Sequence, residues 1–256
     1  MIPLLEIQGL SKHFDGLKAV SNFHLAVPKD QLAGLIGPNG AGKTTIFNLI
    51  TGLYVPSAGT IRFDGQDILK LKAYQITQLG IARTFQNIRL FNELTVLDNV
   101  RIAYHGHLEY GLGPAILRTP DFRKKEKELT QEAQELLRIF NLSMRQNEVA
   151  KGLPYGEQRR LEIARALAAN PKLLLLDEPA AGMNPSEVRQ LMELISWVKS
   201  EFDLTILLIE HQMQVVMGCC ERVAVMDFGE IIAEGTPKEI QTNPRVIEAY
   251  LGKEVP

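Results

Sequence analysis

Cysteine is scarce in this chain: two residues among 256, and they are neighbours, Cys219 and Cys220. A disulfide between adjacent residues would be badly strained, so both are expected to be free thiols in a reducing compartment. Neither has further ligand residues at metal-binding spacing. An excess of one charge is also missing. Lys and Arg number 28 against 30 Asp and Glu, a net charge of -2, which offers no broad surface to nucleic acid and leaves only a local basic groove open. Long apolar runs are absent. The longest, LLLL at 173–176 and TILLIE at 205–210, have the length of buried strands and fall far short of the roughly 20 residues of a membrane helix. The N-terminus, MIPLLEIQGLSKHF, lacks a basic start followed by an apolar core, so no signal peptide is expected. A soluble cytosolic chain is predicted, one that reaches a membrane only through other subunits.

What is present is ordinary globular material, 45% hydrophobic and 23% charged, enough for one large domain or a domain with a sizeable insertion. The first third reads as β-rich: LLEIQGL, LKAVSNFHLAV, QLAGLIG and GTIRFDG are candidate strands. Helices are predicted from near Lys43 to Gly52 and from about Lys72 to Leu79. The middle turns helical. TVLDNVRIAYHGHL and the charged amphipathic FRKKEKELTQEAQELLRIF read as helices, with a Gly/Pro loop, EYGLGPAILRTPD, between them. Strand–helix alternation then resumes through KLLLLDE, a helix after Asn184-Pro185, TILLIE, RVAVMDF, EIIAEG and small terminal helices. This pattern predicts an α/β fold with a mostly parallel sheet covered on both faces. The expected division is a core of residues 1–87 and 169–256 with an inserted helical subdomain, 88–168.

Two motifs carry chemistry. Gly37-Pro38-Asn39-Gly40-Ala41-Gly42-Lys43-Thr44 matches G-x-x-x-x-G-K-[ST] between a strand and a helix, the context that motif requires. Its glycines let backbone N–H groups turn inward around phosphate oxygens, and the helix N-terminus adds positive potential. Lys43 is expected at the β- and γ-phosphates and the Thr44 hydroxyl at Mg²⁺, with Thr45 in the same turn. The second motif is LLLLDEP. Its buried strand ends in Asp177, placed to hold Mg²⁺ through water, and Glu178 follows where a carboxylate can polarise an attacking water. A nucleoside triphosphate, ATP, with Mg²⁺ is the predicted ligand pair.

The order of these motifs resembles the ATP-binding subunit of ABC transporters, and the resemblance covers almost the whole chain. It implies a P-loop NTPase core with an N-terminal antiparallel β subdomain and a helical subdomain bearing the signature. It also implies that Gln86, in TFQ, is a Mg²⁺ ligand and a link to the membrane subunit, and that Glu178, Gln86 and His211, after LLIE, surround the γ-phosphate. Phe14 is the candidate to stack on adenine, the other reading being a core residue of the first strands. Ala181–Asn184 becomes a loop contacting a partner subunit. RTFQNIRLFNELTVLDNV, the long insertion, LDEPAAGMNP and the terminal AYLG resemble one of the two ATPases of branched-chain amino-acid importers. The implied partners are a second ATPase subunit, two transmembrane permease subunits and, indirectly, an extracytoplasmic solute-binding protein, with the chain peripheral at the inner face of the cell membrane. ATPases of urea or amide importers, of lipopolysaccharide export, and soluble non-transport ABC ATPases are the alternatives.

The signature position, LPYGEQRR at 153–160, departs from the family pattern. A serine hydroxyl and a helix N-terminus normally meet the γ-phosphate there, across the dimer. Here Pro154 supplies neither hydroxyl nor N–H, although proline is well tolerated at a helix start. The remaining grip is assigned to Tyr155, Gly156 and Glu157 through their backbone N–H groups. The Glu157 carboxylate either faces the phosphate as a handicap or points away and stabilises the helix start.

Overall fold

The computed structural model describes residues 3–107 and 119–251. Most of the EYGLGPAILRTPD loop, and Gly252 of AYLG, lie outside them. Contacts divide the chain into two compact units, Met1–Gln86 with Lys172–Pro256, and Asn87–Pro171.

The strands, all in the first unit, are β1 (Leu5–Phe14), β2 (Leu17–Val27), β3 (Leu32–Ile36), β4 (Ala58–Phe63), β5 (Gln66–Asp67), β6 (Ile81–Arg83), β7 (Leu173–Asp177), β8 (Thr205–Ile209), β9 (Arg222–Asp227) and β10 (Glu230–Gly235). They form an antiparallel sheet of order β2-β1-β4-β5 and a second sheet of order β10-β9-β3-β8-β7-β6. In the second sheet every pairing from β9 to β6 is parallel, and β10 returns antiparallel to β9. β3, β7 and β8 are buried at every position, as an internal parallel sheet covered on both faces demands. The first sheet alternates instead: Leu5, Ile7 and Leu10 face inward, opposite Val27, Leu25 and Phe23 of β2.

Two details differ from the sequence reading. β1 runs past LLEIQGL to Phe14, because Asp15 and Gly16 both adopt positive φ, 41° and 95°, in a two-residue turn between the paired Phe14 and Leu17. An Asp-Gly turn of this hand continues the twist of both strands. β6 has only three residues and pairs with Leu173–Leu175 of β7. It is too short to declare itself by periodicity.

Around these sheets run α1 (Lys43–Ile50), α2 (Ala73–Gln78), α6 (Pro185–Glu201), α7 (Met213–Cys219), α8 (Pro237–Gln241) and α9 (Pro244–Leu251). Phe23, Ile46, Phe47, Leu35, Ile209 and Met226 belong to one continuous core joining both sheets and α1.

The second unit is helical. α3 (Val96–Tyr104), α4 (Pro120–Ile139) and α5 (Tyr155–Leu167) pack on one another. Thr95 caps α3, its hydroxyl accepting from Asp98 N at 3.0 Å. Thr119 caps α4 with Pro120 following, the arrangement favoured at a helix start. α4 buries Leu129, Ala133, Leu136 and Leu137, one stripe at helical spacing. Its polar remainder is solvated.

Candidate functional site

Apart from Phe14, the residues singled out in the first unit lie at or follow the carboxyl ends of neighbouring parallel strands, where open α/β sheets bind ligands. β3 leads into the phosphate loop. Gly37 has φ 150°, and a Cβ on it would sit 1.9 Å from the Met226 carbonyl oxygen. Gly42 has φ 103°, and a Cβ there would meet the Ala19 carbonyl oxygen at 2.4 Å. No side chain fits at either position, so the loop between them closes against β9 and β2. α1 then begins at Lys43 with no side-chain cap and no acidic residue in its first turn. Its free N–H groups and dipole are open to an anion. Thr44 is exposed and Thr45 half-buried in that turn. Lys43 is 6% exposed, and its Nζ donates to the carbonyls of Gly37 at 2.8 Å and Pro38 at 2.9 Å. Burial lowers its pKa, while the nearby charges of Glu178 and Asp177 oppose that shift.

Asp177 ends β7 and is 2% exposed. One carboxylate oxygen, Oδ2, accepts from Arg83 Nη2 at 2.7 Å. Arg83 is itself held by Asn48 Oδ1 of α1 at 2.7 Å and lies over the rings of Phe47 and Phe85, 5.3 and 4.8 Å from their centroids. The other oxygen, Oδ1, is buried with no hydrogen-bond partner. A buried carboxylate oxygen without a donor is costly, and a hydrated Mg²⁺ fits it. Among the described residues no three His, Cys, Asp or Glu side chains converge on a metal position. A carboxylate oxygen is the donor type that a hard cation takes.

Glu178 follows at φ 45°, a left-handed backbone that costs a non-glycine residue about 1–3 kcal/mol. Its N–H donates to the Ile209 carbonyl of β8 at 2.9 Å. Gln86 Nε2 donates to Glu178 Oε2 at 2.8 Å, and His211 Nδ1 lies 3.5 Å from the same oxygen. The structure thus brings Lys43, Asp177, Glu178, Gln86 and His211 into one cluster. After Glu178 the chain passes through Ala181–Asn184 into α6. There the Asn184 side chain accepts from Ser186 N and Glu187 N at 2.9 and 3.0 Å, and Glu187 returns a bond to Asn184 N at 2.9 Å. That reciprocal cap fixes the loop's exit.

Phe14 stands apart, half-buried at the end of β1. Its ring meets Tyr54 edge-on at 5.2 Å, with Lys12 Nζ 4.8 Å from its centroid. Two residues that the sequence reading missed are Arg83 and Glu210. Glu210 is 0% exposed and accepts from Ala180 N, His211 N and Gln212 N at 2.9, 3.0 and 3.1 Å. The available signal was a carboxylate at the end of an all-apolar strand, directly before His211.

In the second unit Pro154 is the N-cap of α5, with φ −54°, ψ 152° and no side-chain cap bond. Both Glu157 N and Gln158 N donate to the Pro154 carbonyl at 2.9 Å. The N–H of Glu157 is therefore engaged inside the helix, and the donors at the tip narrow to Tyr155 and Gly156. The Glu157 carboxylate lies 3.4 Å from Arg145 and 3.9 Å from Arg160, so its charge has cationic company. Further along, Arg159 and Glu162 form a 2.7 Å ion pair at 0% and 1% exposure. Glu162 also accepts from Arg89 N at 3.1 Å, while Asn99 of α3 bonds Phe91 N at 2.9 Å and Phe91 O at 3.1 Å. The segment after Gln86 is thereby tied to two helices of this unit.

A family model described as ABC transporter matches residues 20–181, and one described as branched-chain amino acid ATP-binding cassette transporter matches residues 230–256. The chain is 47% identical to the high-affinity branched-chain amino acid transport ATP-binding proteins BraF of Pseudomonas aeruginosa and LivG of Escherichia coli K12, over 98% of each chain. It is 36% identical to the lipopolysaccharide export system ATP-binding protein LptB of Haemophilus influenzae, again over 98% of both. The crystal structure of MJ1267, an ATP-binding cassette of an ABC transporter in its ADP conformation, superposes with a TM-score of 0.85 at 32% identity, covering 99% of this chain and 100% of that one.

Proposed function

Because the chain belongs to the ABC transporter family of ATP-binding proteins, we propose that it energises an importer of branched-chain amino acids: leucine, isoleucine and valine. It is an ATP-binding ATPase of the ABC type. Among the described residues no helix is long and apolar enough to cross a membrane, so the proposal includes two permease subunits that hold it at the inner face. A second, different ATPase subunit completes the pair, and an extracytoplasmic binding protein delivers the substrate. The observation that carries the amino-acid reading is the match of residues 230–256, which lies beyond the nucleotide-binding motifs shared by all such ATPases.

In this reading the phosphate loop, Gly37 to Thr44, wraps the triphosphate with its N–H groups while Lys43 turns from its own loop carbonyls to the γ-phosphate. Thr44, Gln86 and Asp177 would hold Mg²⁺, which when bound neutralises charge on the phosphate oxygens. Glu178 takes the proton of the attacking water, Gln86 and His211 fix its carboxylate, and Phe14 stacks on the adenine. The Tyr155 and Gly156 amides close over the partner's nucleotide. The segment NIRLF, 87–91, receives a short permease helix; Phe91 within it is 47% exposed and Leu94 just beyond it 36%.

The test uses the whole transporter, assembled in proteoliposomes with its binding protein. ATP-dependent uptake of labelled leucine is expected, competed by isoleucine and valine and not by urea. Cysteine placed at Asn92 should cross-link to the permease in the same vesicles. Uptake of urea, or cross-links to soluble proteins alone, would overturn the assignment.

A second expectation concerns Pro154→Ser. A serine at this helix start adds an N–H and a hydroxyl for the partner's γ-phosphate. A hydrogen bond is worth about 0.5–1.5 kcal/mol and somewhat more to a charged group. ATP-driven association with the partner ATPase should tighten a few-fold, up to about tenfold. Unchanged ATP dependence, with the partner held constant, would mean that the two backbone amides already satisfy the phosphate.

A further inference from the structure

Ala180 has no functional side chain, yet both of its backbone polar groups are taken by side chains from another loop. Its N–H donates to Glu210 Oε1 at 2.9 Å, and its carbonyl accepts from Gln212 Nε2 at 3.0 Å. Glu210 turns its other oxygen to the N–H groups of His211 and Gln212, at 3.0 and 3.1 Å. One fully buried carboxylate therefore bridges the loop that leaves Glu178 and the loop that carries His211, and Gln212 closes a second bridge beside it. The two loops leave adjacent parallel strands, with Asp177 paired to Ile209. Hydrogen bonds to an ionised acceptor are the strong ones, and in a water-free setting they resist separation.

We infer that Glu210 and Gln212 are positioning residues that lock the Glu178–Asn184 loop to the His211 loop, so that the two move as one body. The inference rests on the ATPase reading above, in which Ala181–Asn184 meets the partner subunit. A shift of that loop when the partner closes is carried through Ala180 to Glu210, and from there to the backbone of His211. His211 lies 3.5 Å from Glu178, and loops that move together carry the histidine and the general base as a pair and keep that spacing when the partner closes. Neither Glu210 nor Gln212 needs to touch the nucleotide for this.

Two variants separate such a role from general support of the fold. Glu210→Gln keeps the shape, but its amide nitrogen must face backbone N–H groups on one side of the bridge. Gln212→Met keeps length and removes the side-chain donor to the Ala180 carbonyl, leaving the bond from Met183 N at 3.2 Å within the same loop. In the assembled ATPase pair, each should lower kcat by about tenfold, the scale of one lost hydrogen bond to a charged or buried group, with KM for Mg-ATP unchanged. In a Glu178→Gln background, where hydrolysis is silenced, each should also weaken Mg-ATP-driven association with the partner by a similar factor, while Mg-ATP binding to the unassociated chain stays the same.

Unchanged kcat and unchanged association in both variants would overturn the inference. So would a loss of Mg-ATP binding in step with a fall in thermal stability, which is what a purely structural role produces. Should Glu178→Gln alone fail to associate with Mg-ATP, the dimer reading would fall, and the kcat-against-KM comparison would still decide the role of the bridge.

Discussion

Glu178→Gln should slow ATP hydrolysis by about 10²–10⁴-fold, the usual contribution of a general base, while Mg-ATP still binds. The amide has the volume of the carboxyl group but cannot take a proton from water. Little else should change. The backbone bond from Glu178 N to Ile209 O, 2.9 Å, does not involve the side chain, and the left-handed φ of 45° is equally strained for either residue. Gln86, now 2.8 Å from Glu178 Oε2, can bond the oxygen of the new amide. With binding kept and turnover lost, the ATP-bound pair should accumulate, and light scattering with Mg-ATP should show more dimer than for the unsubstituted chain. Hydrolysis at the original rate would move the base elsewhere, with His211 the next group in reach.

Lys43→Ala should also reduce turnover, by at least about 10²–10³-fold, since removing one preorganised electrostatic contact to developing charge costs roughly that much. Here the loss has two parts. The ammonium that would meet the β- and γ-phosphates disappears, and so do the 2.8 and 2.9 Å bonds that hold the Gly37 and Pro38 carbonyls. The second loss loosens the loop before any nucleotide arrives. Nucleotide affinity should therefore fall together with kcat, in contrast to Glu178→Gln, and titration with a fluorescent ATP analogue separates the two behaviours. Undiminished turnover in Lys43→Ala would remove the nucleotide site from this loop.

The parts of the fold and site that could be read from sequence are those encoded in contiguous residues. QLAGLIGPNGAGKT holds strand, loop and helix start in one stretch, and LLLLDEP joins a buried strand to its two carboxylates. The unread parts depend on neighbours distant in the chain. Arg83 reaches Asp177 across 94 positions from a strand of three residues, and nothing local marks that arginine as buried. Glu210 looks like the polar end of TILLIE until β7 and β8 are set side by side. Only then does Ala180 come within its reach. The start of α5 shows the opposite case, since Pro154 and its missing hydroxyl and N–H were visible but the engagement of the amide of Glu157 was not. The proline carbonyl takes up the N–H of Glu157, a detail of backbone geometry that no residue name announces.

The Arg159–Glu162 pair in α5 has a consequence for how this protein can vary. Both side chains are inaccessible, at 0% and 1% exposure, and removing one partner of such a pair leaves an uncompensated buried charge at a cost of about 3–5 kcal/mol. A domain's whole margin is about 5–15 kcal/mol. Replacing both residues together by apolar ones of similar volume is often close to neutral. Each single replacement is therefore strongly destabilising, and the double replacement additionally removes the acceptor of Arg89 N and the Arg159 bond to the Tyr155 hydroxyl. Glu162 also holds Arg89 N, so the same cost protects the attachment of the segment after Gln86 to α5.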